Sequence, residues 1–546
     1  MSRPVLTNRF CLPLISAGAF LCALAIAFFW LAESRALAAT RPNVVLIQVD
    51  DMARAQMRSE IYEGGSGVPA MPNVLERIGA RGVELNRYYA SNPICGPSRA
   101  SLLTGQATHN HGVRTNAFPF GYPVWQDGPD SQWNLPVWLQ QNDYRTAHIG
   151  KYINGYGFDP ETEVPPGWSR WVTPIKTAGS SYYGAVFNID GELTAPVGSW
   201  EVPDPTDCKP VFYTQPEACQ HSTDVITNFA LKEIANNAAA DRPFFMQVDY
   251  NAPHDDGRKP AGPIPPARFQ AITPRVGQNF RLNSNPRNSS PYFIRRNEPL
   301  TPTMKRDVRE RYANEVASLR GVDEGVGRIL SRLRRSGQLE NTYVIFTSDN
   351  GMFHGEHRIA YGKFLPQEPS SRQPFLVRGP GIPRDQRSRA LGSNLSIAST
   401  VLRMTDTTAA GRRDGRSLLA NLRFPKLTTE VPVLLEGFNG RDPADPELFL
   451  DGNGNGNGNG NGQPNSNQAV VLNYTGFVAG KWKYIRYSYG DEELYDLETD
   501  PGENRNRIYG PRMAPVLDWA REVSSALVGC RGSECRIEVT PPSPEK

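Results

Sequence analysis

The sequence lacks the features that mark several large classes of protein. Across 546 residues the formal net charge is only +3, and no run of Lys and Arg is long enough to suggest a dense basic patch, which sets nucleic acid aside as the expected partner. Apolar runs long enough to approach a membrane span are absent after residue 32, so any membrane reading is confined to the N-terminus. Cysteine is scarce, at seven residues, and its placement matters more than its number.

The N-terminal stretch has its own pattern. Arg3 and Arg9 precede the apolar run Cys11–Ala32, and Ala36-Leu37-Ala38 follows as an A-x-A cleavage pattern. Residues 1–38 therefore read as an export signal cleaved after Ala38, with the mature protein secreted into an extracellular or periplasmic space. The apolar run is long for a signal, and an uncleaved N-terminal anchor is the other reading. Removing residues 1–38 takes away Arg3, Arg9, Arg35 and Glu33 and lowers the charge from +3 to +1. It also removes Cys11 and Cys22. Of the remaining cysteines, Cys208 with Cys219 and Cys530 with Cys535 would close short loops, as expected in an oxidising compartment. Cys95 is left over.

What is present suits a large globular enzyme. The chain is 39% hydrophobic and 10% aromatic, enough for one large core and a smaller one. Three short apolar runs end abruptly in polar residues: Val44–Val49 before Asp50-Asp51, Phe244–Val248 before Asp249, and Tyr343–Thr347 before Ser348-Asp349-Asn350. Runs apolar on both faces suit inner strands of a sheet covered by helices, and such sheets carry ligands beyond the carboxyl ends of their strands. Helices are expected at Pro72–Arg81 and Arg306–Gly337, so the class is α/β. Residues 255–305 read as a long irregular insertion. The Asn-Gly-rich stretch 451–466 reads as a flexible loop with too little apolar surface to order. After it, Val470–Tyr474, Gly476–Val478 and Trp482–Tyr487 read as strands and Pro515–Val528 as a helix, giving a catalytic domain over 42–430 and a smaller α+β subdomain over 431–546.

Cys95 lies in Asn92-Pro93-Ile94-Cys95-Gly96-Pro97-Ser98-Arg99-Ala100-Ser101-Leu102-Leu103-Thr104-Gly105. Here the chain resembles the formylglycine-dependent sulfatases, whose signature is C-x-P-S-R followed by L-x-T-G. An isolated buried thiol would not explain the surrounding Pro97, Ser98, Arg99, Thr104 and Gly105. Further stretches carry the resemblance over roughly Pro42–Asn506: Arg378-Gly379-Pro380-Gly381 and Glu493–Pro501 are landmarks of the fold rather than of the mechanism. The resemblance implies an alkaline-phosphatase-like α/β domain with a large mixed β-sheet flanked by helices. It also implies oxidation of Cys95 to formylglycine by a formylglycine-generating enzyme, and hydrolysis of a sulfate ester by the aldehyde hydrate, whose two hydroxyls suit covalent catalysis with built-in release.

Asp50, Asp51, Asp349 and Asn350 lie at the ends of two expected strands and form a hard oxygen-donor set suited to Ca²⁺ or Mg²⁺ rather than zinc. The resemblance assigns these four, together with the residue derived from Cys95, to a metal, usually calcium. It also makes Arg99 the group that holds the formylglycine and neutralises the metal site, Lys151 and Lys363 the sulfate-binding lysines, and His254 a proton donor to the leaving alcohol. Many sulfatases carry a histidine two residues after the first lysine, where this chain has Ile153 and then Asn154. The stretch Gly150–Tyr156, with His109-Asn110-His111, is instead similar to the branch that removes 6-sulfate from N-acetylglucosamine, and Asn154 is the candidate to hydrogen-bond at the nucleophile. His109 and His111 receive no catalytic role. The substrate expected is a sulfated glycan or small aryl sulfate. The competing readings are a phosphonate or phosphate ester hydrolase of the same superfamily and an inactive exported glycan-binding protein. Oligomeric state is not readable.

Overall fold

The computed structural model describes residues 41–544 except 64–65, 117, 159, 176–181, 195–219, 239, 241, 256–261, 273, 275–290, 296 and 439–472. The export signal, the Cys208–Cys219 pair and the Asn-Gly loop lie outside the described residues.

Short runs of β-branched and aromatic residues make the frame. In chain order they are β1 (Asn43–Val49), β2 (Val83–Tyr89), β3 (Arg145–Gly150), β4 (Arg170–Pro174), β5 (Phe187–Ile189), β6 (Phe244–Asp249), β7 (Thr342–Ser348), β8 (Phe375–Arg378) and β9 (Gln386–Ser393). Among the described residues these belong to one eleven-stranded sheet, completed by two two-residue strands. Its centre runs β2-β8-β7-β1-β6-β3-β4-β5, and β9 pairs with β2. β7, β1, β6, β3 and β4 are mutually parallel, whereas β8 runs antiparallel to β7 and to β2. The sheet is therefore mixed, as expected.

β1 shows why both faces are apolar: Val45, Ile47 and Val49 enter one core cluster, and Val44 and Leu46 enter another on the opposite face. The first face is covered by α1 (Pro72–Arg77), α3 (Ser222–Ala238) and the 34-residue α4 (Pro302–Arg335); the second by α2 (Cys95–Thr104) and α5 (Ser396–Met404).

Two helix boundaries differ from expectation. The Pro72–Arg81 helix stops at Arg77 and passes into a 3₁₀ turn over Gly79–Arg81, consistent with the poor helix propensity of Gly79 and Gly82. α4 starts four residues earlier than Arg306, because the Thr301 hydroxyl accepts from Met304 N at 3.2 Å and Pro302 sits at the first helical position. Its last turn carries Arg332, Arg334 and Arg335, favourable at the negative end of the helix dipole. Among its described residues the irregular insertion contains a 3₁₀ turn, Ala267–Phe269, and a short helix, Tyr292–Arg295.

The second sheet is antiparallel and four-stranded, β10 (Val433–Gly437), β11 (Tyr474–Ala479), β12 (Trp482–Tyr487) and β13 (Glu492–Asp496), backed by α6 (Ala514–Leu527). The two short strands expected at Val470–Tyr474 and Gly476–Val478 are, within the described residues, the single strand β11. The other face of this sheet packs on Tyr89, Ile94, Phe364 and Leu391 of the main domain. Tyr474 Oη donates to Phe364 O at 2.6 Å, and Phe364 N donates to Pro93 O at 2.9 Å, next to the two ends of the site described below. Cys530 and Cys535 form the expected disulfide, and Cys95 is free and buried.

Candidate active site

Parallel strands with neighbouring registers end along one edge, so the polar residues after them converge. Asp50 and Asp51 follow β1, Asp349 and Asn350 follow its neighbour β7, and Lys151 follows β3; His254 lies in the loop after β6. Asp51 turns into the left-handed region (φ 67°), where Asp is better tolerated than most residues, and its N–H donates to Asp349 Oδ1 at 3.1 Å. Gly150 lets Lys151 approach: a Cβ there would fall 1.8 Å from Asp249 O, and Lys151 N donates to that same carbonyl at 2.9 Å.

Cys95 is the first residue of α2, where free N–H groups and the helix dipole favour negative charge. Its Sγ lies 3.2 Å from Asp50 Oδ1 and 3.8 Å from Asp51 Oδ1, and Lys363 Nζ donates to it at 2.9 Å. Lys363 Nζ also pairs with both oxygens of Asp51, at 2.8 and 3.0 Å, and Lys151 Nζ pairs with Asp50 Oδ2. Arg99, one turn into α2, bonds Asp349 Oδ2 through Nε (3.0 Å) and a terminal nitrogen (2.8 Å), and donates to Lys151 O at 2.8 Å. His254 Nε2 stands 3.6 Å from Asp51 Oδ2, with Nδ1 against Asp255 O at 2.5 Å.

Burial raises the cost of every charge here, and the partners decide the outcome. Burial alone would push Asp50 up, yet Lys151, His254, Arg99 and Lys363 together hold it well below the ordinary range. Asp349 goes the other way, up to about 7, because burial and the charges of Asp50 and Asp51 outweigh Arg99. Burial pulls His254 down, but Asp50 and Asp51 together raise it to about 9. Burial and Asp50 push the Cys95 thiol well above its usual value. An unmodified thiol would stay protonated here and be a poor nucleophile.

The donor chemistry fits a hard divalent cation. Oxygens of Asp50, Asp51 and Asp349 and the Cys95 sulfur all lie within 4.8 Å of one another. Asn350 Nδ2 donates to Asp51 Oδ1 at 2.6 Å and to Gly351 O at 2.9 Å, while its Oδ1 is buried without a partner. Three converging carboxylates, one of them forced towards protonation, and an orphaned amide oxygen are what a Ca²⁺- or Mg²⁺-type ligand set presents.

The sulfatase family model matches residues 42–407. The chain belongs to the sulfatase family. It is 30% identical over 538 residues to an arylsulfatase of Volvox carteri, covering 92% of this chain and 77% of that protein. It is also 30% identical over 515 residues to the human N-acetylglucosamine-6-sulfatase, covering 91% and 86%. The fold is shared with a solved protein in complex with its substrate D-glucosamine-2-N,6-O-disulfate (TM-score 0.67, 22% identity, 89% of this chain and 97% of that one). As a sulfatase, this protein is a sulfuric ester hydrolase.

Every candidate of the sulfatase signature except Asn154 is joined to the cluster by a hydrogen bond or ion pair. Asn154 stands beside it: a Cβ on Gly96 would lie 3.6 Å from Asn154 Cβ, and Asn154 Oδ1 is buried without a partner. The group that does bond there is one that sequence reasoning missed, Asn116, whose Oδ1 accepts from Gly96 N at 2.7 Å. Also missed were His148, which joins Asp249 at 2.9 Å behind Arg99, and Asn394, whose Nδ2 donates to Ser98 Oγ at 3.0 Å while Ser98 Oγ donates to Asp349 O at 2.5 Å. Asp249 alone had a visible signal, as the polar end of a buried strand. His109 and His111 lie elsewhere: His109 bridges Glu436 (2.7 Å) and Cys530 O (2.8 Å), and His111 faces Ser101 Oγ at 2.9 Å.

Proposed function

We propose that this sulfatase is an exported enzyme that removes sulfate from a sulfated sugar, with formylglycine made from Cys95 as its nucleophile and a divalent cation, most simply Ca²⁺, held by Asp50, Asp51, Asp349, Asn350 and the modified residue. One observation carries the reading: the single unpaired thiol among the described residues is buried at a helix N-terminus, touching Asp50 and Lys363 inside the oxygen-donor cluster. Maturation requires a formylglycine-generating enzyme in the host.

Formed at Cys95, the aldehyde hydrate would supply two hydroxyls on one carbon: one to take the sulfuryl group as the S–O bond to the alcohol breaks, and the other to lose its proton so that C=O re-forms as the C–O bond to sulfate breaks. A cation on the carboxylates lowers a hydroxyl's pKa and draws charge from sulfate oxygens. The chain's own residues do the rest. Lys151 and Lys363 bind the sulfate and offset its growing charge. His254, held as imidazolium by Asp50, gives its proton to the departing alkoxide at Nε2. Arg99 keeps Asp349 aligned through two nitrogens.

The sugar is assigned by two supports: the Gly150–Tyr156 stretch, and relatives that include an N-acetylglucosamine-6-sulfatase. A 6-sulfated glucosamine is the substrate class proposed. Mass spectrometry of the Cys95 peptide from protein made in its own host tests the nucleophile; an unmodified thiol throughout would overturn it. Aryl sulfate against aryl phosphate turnover tests the ester class, and the 6-sulfate against the 4-sulfate of N-acetylhexosamines tests the sugar.

A further inference from the structure

Among the described residues, a group of arginines without carboxylate partners lies away from the catalytic cluster. A cavity of about 470 Å³ is lined by Arg412, Arg413, Arg531 and Arg536, with Glu534 its one acidic residue. A second, of about 360 Å³, shares Arg413 and Arg536 and adds Arg403 and Arg416, with Asp406 its one acidic residue. The shared pair makes the two cavities one groove. Among the described residues none of these six guanidiniums forms an ion pair with a carboxylate.

The walls are built rather than loose. The Cys530–Cys535 disulfide ties the turn that carries Arg531 and Arg536. Buried Asp414, next to Arg413, accepts from Gly532 N (2.7 Å), Ala107 N (2.7 Å) and Asn110 Nδ2 (2.8 Å), so one carboxylate fixes both sides of the groove. Arg413 is half-buried with its guanidinium 5.2 Å over the Trp138 ring. Burial and the charge of Arg536 pull its pKa down, as expected of a cation facing another cation without an anion between them. Keeping like charges together in a fixed frame opposes folding, and an anion seated between them would relieve it.

The placement relative to the nucleophile is defined by α2. Cys95 begins this helix and Gly105 caps its far end, where a Cβ would touch Arg413 Cγ at 3.2 Å. Ten residues of helix put the two ends roughly 15 Å apart. The helix between them is buried along its whole length, so a small ester in the catalytic cluster does not touch the groove, and whether one polymer chain spans both is what the test below reads.

We propose that this groove is a second binding site, specific for the anionic groups of a sulfated polysaccharide, that holds the polymer while one of its esters is hydrolysed. The choice of sulfate over phosphate polyanions rests on the sulfatase reading; the groove itself does not.

The test uses the full secreted enzyme and the triple variant Arg412→Ser, Arg531→Ser, Arg536→Ser, whose side chains are exposed and outside the catalytic cluster. Heparin is the polymer probe and an aryl sulfate the small one. The expected result is a heparin Kd about tenfold weaker, with elution from immobilised heparin at lower salt, and aryl sulfate kcat/KM within about twofold of the parent. Unchanged heparin binding in a folded variant overturns the proposal. So does duplex DNA that binds the parent as tightly as heparin and is lost in the variant, because the groove is then a general phosphate site. Failure of the catalytic reading looks different: aryl sulfate inert with both proteins, the heparin difference intact, which still supports the groove.

Discussion

Two clusters of buried charge lie a short distance apart in the chain and differ in one respect. The catalytic cluster joins Asp50, Asp51 and Asp349 to Arg99, Lys151, Lys363 and His254, and it is left incomplete: Asn350 Oδ1 has no partner, and Lys151 and His254 keep 15% of their side-chain surface exposed. The second lies between the two sheets, where Lys483 Nζ on β12 donates to Glu503 (2.8 Å), Glu368 (3.1 Å) and Ser371 Oγ (3.3 Å), and Glu503 accepts from Glu368 N at 2.7 Å. All three ammonium donors are used and Lys483 is sealed. Buried charge in a folded protein is therefore no sign of chemistry in itself. What separates the clusters is whether the partners are complete: one is closed on itself between the two sheets, and the other leaves the Asn350 amide oxygen without a partner and two cations partly exposed.

The sharpest way to break this contrast is to exchange the effects of substitution. Cys95→Ala should abolish aryl sulfate turnover by about 10⁴-fold or more while the melting temperature stays near the parent's; retained turnover would place the nucleophile elsewhere. Lys483→Met should do the reverse, lowering stability by about 3–5 kcal/mol because Glu503 is left buried without its cation and Glu368 keeps only Arg372, with kcat per folded molecule unchanged. Urea melts and active-site-normalised rates measure both.

A milder test is ion loading. Ca²⁺ at a hundredfold excess over its Kd should stabilise the parent by about 2.7 kcal/mol, and Asp349→Asn, which weakens the ligand set, should reduce that gain in a thermal melt. Lys483→Met should leave the calcium-dependent gain intact.

The last test is in pH. Glu493, beside the sealed cluster, accepts from Tyr487, Tyr495 and Gln367 but is raised by burial to about 8. Its folded pKa lies above the ordinary 4.5, so the folded state holds the proton more tightly. This contribution to stability is fully present below about pH 4.5 and is lost as pH rises through about 8. Glu493→Gln should flatten the stability profile in that window without changing the pH dependence of turnover. An identical profile would show that Glu493 ionises freely.

The catalytic half of this contrast could be read from the sequence, and the sealed half could not. Asp50-Asp51, Asp349-Asn350 and Cys95 announce themselves because each breaks a local pattern: an apolar strand stopping in carboxylates, or a thiol without a partner. Lys483 and Glu493 sit in short alternating strands where a charge reads as solvent-facing, and only docking of the second sheet buries them. Asn116 and Asn394 were missed for a related reason, since their contacts to Gly96 and Ser98 span 20 and 296 residues. The start of α4 was missed for a different reason: its periodicity begins inside the helix, whereas the start is set by a local cap, Thr301 three residues before Met304.

Cys95 is wholly enclosed once Asp51, Lys151 and Lys363 are in place, and those residues come from segments up to 312 positions apart. An enzyme that must grip the Cys95 segment has no access to it in the finished fold. On the formylglycine reading proposed above, oxidation of this residue would therefore have a deadline: it would have to be complete before β7 enters the sheet beside β1, in a race between the modifying enzyme and the folding of the C-terminal half. Slowing that folding should raise the fraction of molecules carrying the aldehyde.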